Sequence, residues 1–388
     1  MPHESLFFLK LFKIFPGLLV FGLFCSHAFA AAPPSNPVPD IAAKSWVLMD
    51  HDSRRLLAEK NPDLPMPPAS LTKLMAAYVL FAKMNGGKLR PDDMVNITQE
   101  VWRAKGARLF LRPGTQARVD ELLQGMVVLS ANDAAIALAD KASGSEAGFV
   151  AEMNDAADAL GLTLSRFENV TGHDQQGHAA TARDFAHLAS AIIRDYPEQY
   201  RLFAEKELTY LGVTQYNRNA LLWRDRSVDG VKTGHTRNAG YCILASSVRD
   251  GMRLIAVVLG AQNENARFEA AQKLLEYGYR YFETRLIQAS NVPVVRVRVW
   301  LGNQPSVPVG VRQNLYLTLP RGWHDKLRSR VILKETPSAP VRAGETLGML
   351  ALELDQETYA EYPLVALKEI KKGGFFQRAI DNLQLWLK

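Results

Sequence analysis

The chain has 388 residues, 47% of them hydrophobic and 22% charged, with two cysteines. That length supports two or three folded units, each able to bury a core, and excludes a disordered chain, a collagen and a disulfide-stapled miniprotein. Lys plus Arg number 46 against 40 Asp plus Glu, a formal +6, so an anionic surface or polymer is expected as a neighbour.

Lys10 and Lys13 precede an apolar run from Ile14 to Phe24, and Ala28-Phe29-Ala30 follows with the A-x-A form that signal peptidase cuts after. Residues 1–30 read as a secretory signal cleaved near Ala30; the run is short for a membrane span, and Pro16 and Gly17 interrupt it. Cleavage removes Cys25 and leaves Cys242 alone, so no internal disulfide is expected. Residues 31–43 form a proline-rich, extended leader. Ser45–Asp50 then reads as a strand, with a turn at His51–Ser53 and a second strand through Leu56 and Leu57. Pro67-Pro68 stands just before a helical pattern in which Leu71, Leu74, Met75, Tyr78 and Ala82 recur at three and four. Further helices are predicted over 119–129, 132–142, 146–160 and 181–195. Val228–Gly234, Gly240–Val248 and Met252–Gly260 read as strands, the last two joined by the hairpin signal Arg249-Asp250-Gly251. A long amphipathic helix follows from Asn265 to Phe282.

From Thr284 the texture changes. Val292–Trp300, Val309–Val311 and Leu315–Leu319 alternate with period two, and no helical period of comparable length appears before residue 366. Residues 284–365 are therefore expected to be a small all-β domain, separate from the unit over 44–283. Residues 366–388 carry five positive and two negative charges, half of the formal +6, with Phe376, Ala379, Ile380, Leu383, Trp386 and Leu387 at three- and four-residue steps. This pattern predicts an amphipathic helix lying on an anionic lipid surface, and the basic balance points there and not to nucleic acid. The fold class expected is α+β: a sheet covered by helices, then a small all-β domain and a C-terminal amphipathic helix.

Ser70-Leu71-Thr72-Lys73 is the first candidate site, because a lysine three residues after a serine on a helix shares its face and can take the hydroxyl proton. Alone, the tetrapeptide fits an ordinary surface helix as well. Ser130-Ala131-Asn132 and Lys232-Thr233-Gly234 change this, since the chain order S-x-x-K, S-x-N, K-T-G is the signature set of penicillin-interacting serine acyl-transferases. Gly234 permits close approach of a substrate to the strand backbone. His51, His173, His178 and His235 show no H-E-x-x-H or Cys/His spacing, so neither a metal nor another cofactor is expected. His178 reads as a loop organiser, Cys242 as a small buried hydrophobe, and Asp50 and Glu168 as structural carboxylates.

With these motifs, Pro67–Lys73, Ser145–Phe149, Thr181–Asp184, Asn217–Asn219 and Lys232–Thr236 resemble the low-molecular-mass penicillin-binding proteins of the type 5 and 6 group. Val311–Arg321, Gly344–Leu350 and Pro363–Ile370 resemble that group's β-rich second domain, and the basic tail resembles its membrane anchor. The group consists of D-alanyl-D-alanine carboxypeptidases. The resemblance implies a β-lactamase/transpeptidase-like fold and removal of the terminal D-Ala from peptidoglycan pentapeptides at the periplasmic face of the inner membrane, with β-lactams as covalent inhibitors. It implies Ser70 as nucleophile, Lys73 as its base, and Ser130 with Lys232 as the proton relay to the leaving D-Ala. It further implies that Asn132, Thr233 and Gly234 contact the substrate, and that the N–H groups of Ser70 and His235 form the oxyanion hole. Arg218 and Arg267 are candidates for the terminal carboxylate by family position, and equally fit ordinary surface or ion-pair arginines. The rival activities are a D,D-endopeptidase, a weak transpeptidase or a β-lactamase, the last disfavoured because no E-x-x-L-N sequence is present. An idle peptidoglycan-binding scaffold is disfavoured because Ser70, Lys73 and Lys232 are intact. Two departures stand out: Ala131, where the group has glycine, is expected to narrow the site, and the Ser53-Arg54 turn lacks the group's glycine.

Overall fold

A computed structural model describes residues 37–387. The signal segment, Cys25 and the start of the leader lie outside the described residues. Strand β1 (Ser45–Asp50) is buried at every position, and its alternate side chains feed two cores. Val47 and Met49 enter one, Trp46 and Leu48 the other. Period-two geometry with both faces covered is why this strand reads as a continuous apolar run. Strand β2 (Leu56–Lys60) returns antiparallel. In the turn between them Arg54 itself takes the left-handed conformation, φ 57°, that a glycine would adopt freely, at a cost of roughly 1 kcal/mol.

Helix α1 (Thr72–Asn85) follows a single 3₁₀ turn, Ala69–Leu71, and most of its surface is buried, as expected of a helix inside a core and not on one. The ribbon β3 (Met94–Asn96) and β4 (Gln116–Arg118) flanks the short α2 (Gln99–Trp102). Helices α3 (Val119–Val128), α4 (Asn132–Ser143), α5 (Glu146–Ala159) and α6 (Ala182–Asp195) complete the helical layer. Ser145 and Thr181 cap α5 and α6, their hydroxyls accepting from Gly148 N and Asp184 N at 3.1 Å each, which fixes where these helices begin. After α7 (Pro197–Tyr200) come the hairpin β5 (Glu207–Tyr210) and β6 (Val213–Tyr216), then α8 (Leu221–Arg224).

Strands β7 (Val228–Thr236), β8 (Gly240–Arg249) and β9 (Met252–Ala261) finish the first sheet in the order β2-β1-β9-β8-β7, so β7 is an edge strand. Helix α9 (Glu264–Tyr281), capped by Asn263, packs on the face opposite the helical layer. Directly after it, β10 (Phe282–Gln288) pairs with β13 (Leu315–Pro320), starting just before the expected boundary at residue 284. A second sheet has the order β11-β12-β16-β15-β14, formed by β11 (Val295–Arg298), β12 (Ser306–Gly310), β14 (Arg328–Leu333), β15 (Thr346–Leu354) and β16 (Glu357–Ala366). Its core of valines and leucines is separate from the other two.

The junction is polar. Buried Asp50 accepts from Ser53 Oγ at 2.7 Å and from Thr284 Oγ1 at 2.7 Å, while Arg55 Nη1 donates to the Thr318 carbonyl at 2.6 Å. Residues 366–372, read from sequence as the start of the tail, pack with the β domain: Ile370 is buried and pairs with Val341, and Lys372 bridges Gly302. Helix α10 (Phe375–Trp386) turns its polar side to that domain, with Asp381 buried and accepting from Leu301 N at 2.7 Å. Phe375, Phe376, Ile380, Leu383 and Trp386 are left exposed. Among the described residues no helix is long and apolar enough to cross a membrane.

Candidate active site

Ser70 sits in the 3₁₀ turn that opens α1, preceded by Ala69 at φ 49°. The strain there is held by Gly172, φ 87°, where any Cβ would overlap the Ala69 carbonyl. On the other side Gly234 of β7 lies so close that an added Cβ would come to 3.1 Å from Ser70 N. Glycines at 172 and 234 thus let two backbones clasp the serine.

Lys73, one helical turn on, is buried with Nζ 3.2 Å from Ser70 Oγ. Nζ also donates to Asn132 Oδ1 and to the Thr171 carbonyl, both at 2.6 Å. Burial pushes its pKa down to about 7, the Arg218 guanidinium adds to the shift, and Asp133 opposes it. These contacts serve an ammonium or a neutral amine, and burial favours the neutral form. Two acceptors that cannot donate take its two N–H groups, and the lone pair is left for the Ser70 hydroxyl. Lys232 is also buried, and burial followed by the charges of Lys73, Arg218 and Arg267 holds its pKa well below the lysine range. Two amines are therefore poised for proton transfer instead of permanent charge.

Ser130 adopts φ 62° and its Oγ is buried with no hydrogen-bond partner among the described residues. An orphan buried hydroxyl is costly and rare, which marks it as a group awaiting a ligand. Asn132 begins α4, and its side chain does more than the sequence suggests. Besides holding Lys73, its Nδ2 donates to the Lys105 carbonyl at 2.6 Å and lies 3.4 Å from His173 Nε2. Next to it, buried Asp133 accepts from Leu109 N and Leu111 N at 2.8 and 3.2 Å, fixing the segment over the site.

Ser70, Ser130, Asn132, Thr233, Gly234, His235 and Arg218 all line one cleft of about 190 Å³, with His173 on its rim. His235 stacks on Tyr241 with ring centroids 4.1 Å apart. Arg267 does not line this cleft. It is buried on α9, ion-paired with Glu264 and stacked near Tyr241 and Phe268, with only a long 3.4 Å contact to the Gly234 carbonyl. Ala131 is fully buried in the helical core and does not line the cleft either, so its methyl fills that core and does not narrow the site.

Sequence reasoning missed the Thr171 carbonyl, Gly172 and Asp133. A backbone carbonyl carries no residue signature, and an aspartate in the first turn of a helix reads as a cap. His178 has a defined role: Nδ1 accepts from Glu168 N at 2.9 Å, so Nε2 carries the proton and donates to Thr72 Oγ1 at 2.8 Å. Burial lowers its pKa to about 4, so it stays neutral and ties the 168–178 loop to α1. Cys242 is buried in β8 with its thiol pushed up to about 11 by burial, an unreactive filler.

Residues 29–263 match the family described as D-alanyl-D-alanine carboxypeptidase, and residues 282–372 match the C-terminal domain of penicillin-binding protein 5. The chain is 40% identical over 356 residues to D-alanyl-D-alanine carboxypeptidase DacA of Escherichia coli, covering 90% of this chain and 88% of that one. It is also 40% identical over 371 residues to DacC of the same organism, covering 94% and 92%. Among solved structures it resembles penicillin-binding protein 5 from Haemophilus influenzae, with TM-score 0.83 and 36% identity over 87% of this chain and all of that one. A serine held just after the strained Ala69 and beside a buried, deprotonable lysine, joined to these matches along both units, places the chain in the D-alanyl-D-alanine carboxypeptidase family.

Proposed function

We propose that this chain removes the terminal D-alanine from peptidoglycan pentapeptide side chains through an acyl-enzyme on Ser70, and that β-lactams acylate the same oxygen. One observation carries the reading: Lys73 Nζ is clamped by Asn132 Oδ1 and the Thr171 carbonyl with its remaining position toward Ser70 Oγ. Neutral Lys73 takes the serine proton as Oγ attacks the carbonyl carbon of the penultimate D-alanine. The oxyanion that forms is held by the N–H groups of Ser70 and His235, a stabilisation typically worth about 3 kcal/mol per donor. Ser130 and Lys232 relay that proton from Lys73 to the departing D-alanine amine, which leaves Lys73 neutral again, and the D-alanine carboxylate goes to Thr233 and Arg218. Water then attacks the ester, Lys73 takes its proton and returns it to Ser70 Oγ as the acyl–oxygen bond breaks, and the shortened peptide leaves.

The reading extends to location. The signal segment sends the chain across the inner membrane, and the exposed apolar side of α10 with its lysines lies on anionic lipid at the periplasmic face. The test is release of free D-alanine from diacetyl-L-Lys-D-Ala-D-Ala by the mature chain. Ser70→Ala is expected to lower the rate by about 10³-fold or more. No release by the wild type, or equal release by the variant, contradicts the mechanism.

A further inference from the structure

The Thr171 carbonyl that holds Lys73 belongs to the peptide group whose other end is the Gly172 N–H, and that N–H donates to Asn169 Oδ1 at 2.7 Å. A trans peptide is planar and points its N–H and its C=O in opposite directions. Fixing the N–H on Asn169 therefore aims the carbonyl at Lys73 Nζ, 2.6 Å away on the other side. The same Oδ1 also accepts from Thr171 N and His173 N at 3.2 Å each and from Thr171 Oγ1 at 3.1 Å. Nδ2 donates to the His173 carbonyl at 3.0 Å and to Gln175 Oε1 at 3.2 Å, so both ends of the amide are engaged and its neighbours set its orientation.

Asn169 itself does not line the cleft. It lines a separate groove beside Glu146 and Glu168, whereas Thr171, Gly172 and His173 line the cleft. One peptide group lies between Asn169 and the reacting side chains, and it does two things: its carbonyl holds Lys73, and its Gly172 end is the backbone against which the Ala69 carbonyl rests. We propose that Asn169 is a positioning residue for both the base and the nucleophile's turn, acting through the peptide group between Thr171 and Gly172. This deepens the carboxypeptidase reading and rests on Lys73 as its base. Hydrogen bonds in a chain polarise one another, so the bond at Asn169 strengthens the carbonyl as an acceptor for Lys73. A carbonyl holds an ammonium more tightly than a neutral amine, so this chain partly offsets the burial that favours the neutral form.

The test is the rate of Ser70 acylation by a chromogenic cephalosporin from pH 5 to 10 for wild type, Asn169→Ala and Asn169→Asp, with circular dichroism to check each fold. Lys73 is faced as well by Asp133 from α4, Lys232 from β7, and Arg218 and His173 from the loops around the cleft, and every variant keeps all four. Asn169→Ala frees the carbonyl to turn away. Its plateau rate is expected to fall by about tenfold to hundredfold, and its rising limb to move about one pH unit down, because the ammonium loses an acceptor. Asn169→Asp keeps the accepting oxygen and adds a negative charge, so its plateau is expected within about threefold of wild type and its limb about half a pH unit higher. If the alanine variant does not fold, the aspartate variant decides alone. A lowered plateau with an unmoved limb in Asn169→Ala, a wild-type profile there, or an unmoved limb in Asn169→Asp overturns the positioning role and leaves the carboxypeptidase reading standing. No acylation of the wild type, or a rate that does not rise with pH, overturns Lys73 as the base as well.

Discussion

At the scale of single residues, the site works by denying Lys73 the surroundings of a cation. Its two short bonds go to acceptors that would serve an ammonium equally well, so the decisive factor is burial, strengthened by the positive charge of Arg218. A lysine whose pKa is lowered to about 7 is neutral above that pH and protonated below it. Acylation should therefore rise with pH through about 7 and then level. Removing the guanidinium takes away one cause of the lowering, so Arg218→Gln should move the rising limb to higher pH. The acylation rate by a chromogenic cephalosporin, followed from pH 5 to 10, checks this; the variant's deficit should shrink at the alkaline end. A deficit constant at every pH would mean that Arg218 acts on the substrate carboxylate alone and does not also lower Lys73.

At the scale of elements, three segments converge: the 3₁₀ turn before α1, the start of α4, and the edge strand β7. Each was legible in the sequence because its motif combines a reactive side chain with a local backbone signal, such as Pro67-Pro68 before the helix or Gly234 within the strand. The fourth segment, 168–178, was not, because its contribution is a carbonyl at Thr171 and a glycine at 172 whose need appears only where Ala69 approaches it. Gly172→Ala should therefore displace the Ser70 turn and lower acylation by about 10²-fold, while the protein still folds. Rapid-quench acylation beside a circular-dichroism spectrum measures it, and normal acylation would show that the turn does not depend on this contact. Arg267 illustrates the opposite limit. Its family position suggested a ligand contact, yet it does not line the cleft: one nitrogen pairs with Glu264, another reaches the Gly234 carbonyl at 3.4 Å, and Nε is buried with no partner among the described residues.

At the scale of the whole molecule, two units with separate cores are joined by a buried carboxylate, and the chain ends in a helix with its apolar side outward. Periodicity gave both the two-unit division and the amphipathic tail. It could not show that residues 366–372 add to the β domain, since only the pairing of Ile370 with Val341 reveals that. Nor could it show which side of the tail faces the protein: Asp381, an unremarkable residue in the sequence, is the anchor point. Deleting residues 374–388 should abolish co-sedimentation with vesicles containing anionic lipid while leaving D-alanine release in solution unchanged. Binding that persists after deletion would place the membrane contact elsewhere.

The central claim is that Ser70 becomes an ester by giving its proton to a neutral Lys73. Its most direct measurement is the mass of the intact chain and of its Ser70 peptide after exposure to benzylpenicillin between pH 5 and 9. The account predicts one adduct per chain, on Ser70, forming faster as pH rises through about 7, and none in Ser70→Ala. An adduct on another residue, or a Ser70 adduct whose rate of formation does not change over that pH range, would contradict it.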